Sequence, residues 1–133
     1  MKELCAEGYG TAGFGIGGGG AEINIQNTVI TYARGGYVSQ EFQGSDKKYG
    51  KNEPEGGCGI GTSYKNASKT GSVNIHNATI NAVDGGSKAA GIGASYWTSV
   101  EITIEDSTIG SIKGGNVAAA IGGSRVRETD PGG

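Results

Sequence analysis

A chain of 133 residues is one ordinary domain at most, long enough to bury a core if it is compact. Its 11 basic and 13 acidic residues leave a formal net charge of -2, which excludes the electrostatic footprint of a nucleic-acid or anionic-membrane binder. Its 28 glycines do not follow Gly-X-Y, and no apolar run approaches the roughly 20 residues of a membrane span, so collagen and membrane insertion are excluded too.

The N-terminus, MKELCAEGYG, lacks the apolar stretch of a signal peptide. The chain therefore reads as soluble and unexported, as would a fragment cut from a larger secreted protein. Two phrases then recur along the sequence. The first is Phe14-Gly15-Ile16-Gly17, repeated as Cys58-Gly59-Ile60-Gly61, Ala90-Gly91-Ile92-Gly93 and Ala119-Ala120-Ile121-Gly122. The second is Ile23-Asn24-Ile25-Gln26-Asn27, repeated as Val73-Asn74-Ile75-His76-Asn77 and Ile102-Thr103-Ile104-Glu105-Asp106. Each copy of the second phrase runs on to a Gly pair at 35–36, 85–86 and 114–115.

Ile23 and Val73 stand 50 positions apart and Val73 and Ile102 stand 29 apart, and the excess falls at two corners. Most of it is the insert 37–57, which the next copy replaces with the three residues 87–89. A fixed frame with corners of variable length is the signature of a structural repeat.

Within the frame, Ile23/Ile25, Val73/Ile75 and Ile102/Ile104 alternate with polar Asn24, Asn74 and Thr103, the period of a strand with one buried face. A second short strand centres on Ile30, Ile80 and Ile109, and a third on Ile16, Ile60, Ile92 and Ile121. Three short strands per repeat, separated by Asn/Asp and Gly corners, describe one turn of an all-β parallel solenoid in which equivalent isoleucines stack. The reading is one domain over 1–133, about four short coils, with phrases near 14–36, 58–86, 90–115 and 119–125. Asn27, Asn77 and Asp106 share the corner after the first strand, where a short polar side chain accepts left-handed geometry and ladders to the next turn. The Gly pairs mark a corner expected to need positive φ, and Arg34, Asp84 and Lys113 before them read as solvated corner residues.

Cys58 takes the repeat position of Phe14, Ala90 and Ala119, so it reads as a small buried hydrophobe, with a disulfide to Cys5 left open. Two cysteines without CxxC spacing and one histidine, His76, do not make a zinc site.

With Gly-x-Gly-Ile-Gly phrases, x-Ile-x-Ile strands and Gly-Gly corners, the stretch from about Gly13 to Ser124 resembles the glycine-rich right-handed β-helices of bacterial surface and secreted proteins. That group includes a carbohydrate-binding family. The resemblance implies a single-stranded right-handed parallel β-helix, an extracellular or cell-surface location, and an adhesin-like or carbohydrate-binding role.

The corner after each Gly-Ile-Gly phrase stacks Ser63, Ser95 and Ser124, and beside them Tyr64, Tyr96 and Arg125, with Trp97 adjacent. Aromatic planes and polar tips on one edge of a rigid frame suit a sugar ring, which offers apolar C–H faces and hydroxyls. The other reading is that these aromatics cover loop backbone. The insert 37–57, with Tyr37, Phe42, Tyr49 and several lysines, is a second candidate for function. A polysaccharide lyase would need a base and usually calcium held by a carboxylate cluster. The densest acidic group, Glu101, Glu105 and Asp106, has no acidic ladder across the repeats, and no facing carboxylate pair suggests a glycosidase. His76 reads as an exposed strand residue.

The expectation is a non-catalytic glycan-binding module without a required cofactor, calcium being the one cation left open. The alternatives are a lyase- or glycosidase-like enzyme and a purely structural segment. With about a dozen residues before the first phrase and the polar RVRETDPGG after Ser124, no cap is evident, which leaves open a homo-oligomer built through the uncapped ends.

Overall fold

The computed structural model describes residues 4–8, 13–36, 56–63, 71–95, 100–115 and 118–123. They form eleven strands, with no helix among them. These are β1 (Leu4–Glu7), β2 (Ile16–Gly19), β3 (Glu22–Gln26), β4 (Val29–Arg34), β5 (Ile60–Ser63), β6 (Ser72–His76), β7 (Thr79–Asp84), β8 (Ile92–Ala94), β9 (Glu101–Glu105), β10 (Thr108–Lys113) and β11 (Ile121–Gly122). Three parallel sheets result, here called A (β1-β4-β7-β10), B (β2-β5-β8-β11) and C (β3-β6-β9). The chain visits them in strict rotation, A then B then C, so each pass adds one strand to every sheet.

Register follows the sequence repeat. Ile23 pairs with Val73 and Val73 with Ile102; Ile25 with Ile75 and Ile75 with Ile104. Ile30, Ile80 and Ile109 align in sheet A, and Ile16, Ile60, Ile92 and Ile121 in sheet B. Each column is a stack of branched side chains one strand spacing apart, about 4.8 Å. The middle pass is the best covered: Val73 is 0% and Ile75 1% exposed, whereas Leu4 and Ile121 at the two ends are 45% and 46% exposed.

Sheet A carries a further apolar column. Ile30 and Ala33 are both buried although three positions apart, as are Ile80 and Val83, so the strand rotates between them instead of alternating strictly. Ala6, Ala33, Val83 and Ile112 align there.

The corners show why the glycines and asparagines recur. Asn27, Asn77 and Asp106 all adopt left-handed backbone, at φ 51°, 52° and 49°. Asx side chains tolerate that region better than most. The Gly pairs do not have the positive φ expected of them; those values fall at Gly17, Gly93 and Gly122 in the Gly-Ile-Gly phrase. What the pairs need is room. A Cβ on Gly86 would sit 1.9 Å from the Gly36 carbonyl oxygen, and one on Gly115 1.9 Å from that of Gly86. Backbone packs on backbone there from pass to pass.

The N-terminal segment differs from expectation as well. Leu4–Glu7, to which the sequence reading gave no element, is the first strand of sheet A, with Ala6 opposite Ala33 and Glu7 opposite Arg34. The Gly8 N–H donates to the Arg34 carbonyl (2.8 Å), as Gly35 does to Asp84 (2.8 Å) and Gly85 to Lys113 (2.7 Å). The interior of the insert, 37–55, lies outside the described residues, but its ends meet. The Gly86 N–H donates to the Gly57 carbonyl (2.9 Å) and the Ser87 N–H to the Gly36 carbonyl (3.2 Å), so both ends dock on the same later corner. Cys5 is exposed and Cys58 buried, both as thiols. Cys58 packs with Ala89, Ala90 and Phe14, as its repeat position implied.

Candidate functional site

The corner at which sheet B hands over to sheet C is built by parallel pairing. Ile60 and Gly61 align with Ile92 and Gly93, which align with Ile121 and Gly122. The chain therefore leaves β5, β8 and β11 at one edge, on three successive levels. Tyr64, Tyr96, Trp97, Ser124 and Arg125 follow directly but lie outside the described residues. Ser63 and Ser95 are described, and they are 1% and 0% exposed. Both are buried. The Ser95 hydroxyl has no hydrogen-bond partner there. Thr62 is engaged, its hydroxyl accepting from the Gly71 N–H at 3.2 Å.

The Asx corner is a structural ladder. The Asn77 side-chain amide donates to the Asn27 side-chain oxygen at 2.7 Å, while the Asn27 N–H donates to the His76 carbonyl and the Asn77 N–H to the Glu105 carbonyl, both at 3.1 Å. At the third level a carboxylate replaces the amide, and the Asp106 oxygen lies 3.5 Å from His76 Nε2. Their side chains are 54% and 80% exposed, so the pair contributes little even when the imidazole is charged. A second amide pair runs alongside, with Asn74 donating to Asn24 at 3.3 Å. Sequence reading placed these two only as polar alternates.

Sheet A presents a column of alternating charge on its outer face. Glu7, Arg34, Asp84 and Lys113 align across four levels, and Arg34 Nε lies 3.4 Å from Asp84 Oδ2. The Arg34 guanidinium also stands 4.4 Å from the centre of the Tyr32 ring. Arg34, Asp84 and Lys113 are thus cross-strand partners in addition to being solvated. Glu7, which the sequence reading did not place with them, has one signal of its equivalence: Ala6-Glu7-Gly8 copies the pattern of Ala33-Arg34-Gly35.

One concavity stands at the N-terminal end. An open notch of about 680 Å³ is lined by Leu4 and Ala6 of β1, Ile16 of β2, Asn24, Ile25 and Gln26 of β3, and Thr28 and Ile30. Among the described residues no three His, Cys, Asp or Glu side chains converge to hold a metal ion.

Compared with known proteins, the chain matches no family model, no curated protein and no solved structure.

Proposed function

We propose that the chain is a right-handed parallel β-solenoid serving as a non-catalytic glycan-binding, adhesin-like module at a cell surface. The strict rotation of strands through three parallel sheets supports the solenoid. The strong preference of parallel crossovers for the right-handed sense supports its hand. The observation that supports the binding reading is the register of β5, β8 and β11, whose ends align on successive levels; in the sequence Tyr64, Tyr96, Trp97 and Arg125 follow shortly after those ends. Aromatic faces and polar tips suit a sugar ring, which offers apolar C–H faces and hydroxyls. Ser63 and Ser95 are buried at the ends of those strands.

Trp97 is the one tryptophan in the sequence, so its fluorescence reports on the segment that follows β8. Titration with soluble polysaccharides is expected to change that emission saturably, and Tyr96→Ala should weaken the response about tenfold or more. No polysaccharide producing a saturable change would overturn the reading. Release of reducing ends or unsaturated products from any of them would place the chain in the enzyme class instead.

A further inference from the structure

Two columns of side chains cross all four strands of sheet A on its outer face. One is the charged column Glu7, Arg34, Asp84 and Lys113, which reads negative, positive, negative, positive from β1 to β10. The other lies two residues earlier on the same strands and reads Cys5, Tyr32, Ala82 and Ser111. Tyr32 is its one bulky member, and the Arg34 guanidinium 4.4 Å from that ring shows that both columns share a face. That face is open. The Arg34 and Asp84 side chains are 48% and 37% exposed, and in β10 Thr108, Gly110, Ser111 and Lys113 are all exposed.

An alternating column of four charges is its own complement when its order is reversed. We infer that the outer face of sheet A is a contact between two copies of this chain, related by a two-fold axis that runs parallel to the strands and passes between β4 and β7. Such an axis reverses the strand order of the facing copy, so β1 meets its β10 and β4 meets its β7. Glu7 then faces Lys113 of the second copy and Arg34 faces its Asp84, each contact made twice, as an isologous interface requires.

The neighbouring column fits under the same operation. Tyr32 stands over Ala82 of the second copy, the largest side chain of the column over the smallest, and Cys5 stands over Ser111. The other two-fold open to a pair of facing sheets runs along the columns, and it fails on both. It would set like charge against like charge at every level, and Tyr32 against Tyr32. Charge matching of this kind fixes partner and register more than it adds affinity.

The face measures about 19 Å across four strands and about 20 Å along six residues, or roughly 400 Å² per copy. Stable complexes bury about 800 Å² per partner, so this contact belongs to the weak, exchanging class, with association from about 0.1 mM upward.

The test is sedimentation of the whole chain from about 10 μM to about 2 mM at low salt. Wild type should pass from monomer to dimer over that range, and salt at about 0.5 M should weaken association about tenfold. Arg34→Asp makes the column negative at its first three positions, and Asp84→Arg makes it positive at its last three. Each variant then sets like charges together at the centre of its own pair, so each should keep the wild-type circular dichroism and stay monomeric. Mixed one to one, the two variants regain opposite charges at all four contacts and should associate within about threefold of wild type. Dilution of wild type, followed by nuclear magnetic resonance, maps the contact independently of any variant. It should move signals of Tyr32, Ala82 and Ser111 and leave Asn24, Asn74 and Thr103 of sheet C in place. A wild-type chain still monomeric at about 2 mM, a dimer that both single variants retain, folded variants whose mixture stays monomeric, or dilution shifts outside sheet A would each overturn the inference.

Discussion

β6 and β3 carry nearly the same phrase, yet they stand in different surroundings. Val73 and Ile75 have an equivalent branched residue on either side and are 0% and 1% exposed. Ile23 and Ile25 have one on a single side and are 7% and 8% exposed, with the notch beside Ile25. Position in the stack, more than local sequence, decides what an isoleucine contributes, as expected when each repeat is stabilised by its neighbours. The middle pass is core; the first is core on one face and an open edge on the other.

Substitution at equivalent positions breaks this comparison most severely. Ile75→Asp should abolish the cooperative thermal transition, because it buries a charge within a stack of branched side chains. Ile104→Asp, in the last pass where the residue is half-buried, should leave a folded protein of lowered melting temperature. Equal behaviour of the two by circular dichroism would mean that the passes are not graded in burial.

Gly86→Ala comes next. Its Cβ would meet the Gly36 carbonyl oxygen at 1.9 Å, with backbone on both sides unable to give way, so a loss of about 3 kcal/mol in denaturant unfolding is expected. A cost near that of an ordinary Gly→Ala change would show that the corner opens readily.

Asn77 sharpens the comparison from the polar side. Asn77→Ala loses the bond to Asn27 and must hold φ near 52° with an ordinary side chain, at about 1–2 kcal/mol. Asn77→Gly keeps the backbone and loses the bond, so it should cost less. If Gly proves worse than Ala, the amide ladder and not the backbone dominates.

Much of this was legible because the repeat is strict where side chains stack. The isoleucine columns, the Asx corner and the place of the insert could be read by aligning the chain with itself. The column through Ala33 was not, since Ile30 and Ala33 are three apart and a period of two cannot place both inside. Leu4–Glu7 was missed because one short strand before a corner carries only Ala6-Glu7-Gly8 of the phrase. The reason for the Gly pairs was misread, since sequence shows that a Cβ is excluded but not whether torsion or a neighbouring carbonyl excludes it. The buried places of Ser63 and Ser95 were illegible for a related reason: strand alternation predicts which face a residue takes, not what covers that face.

The smallest effect belongs to the insert. Its two ends dock on the same Gly86–Ser87 corner, so removing residues 40–52 should move the melting temperature little, loop length being entropically inexpensive. Loss of the cooperative melt would show that the insert contributes packing of its own.

Amide hydrogen exchange in the free chain tests the grading of the passes from edge to middle most directly. Within β6 every amide hydrogen is expected to exchange slowly, having a partner strand on each side. Within β3 the pattern should alternate, with Ile23, Ile25 and Asn27 slow and Glu22, Asn24 and Gln26 faster by about tenfold or more. Uniform protection along β3 in dilute solution would contradict the account, because the edge of sheet C would then already be covered.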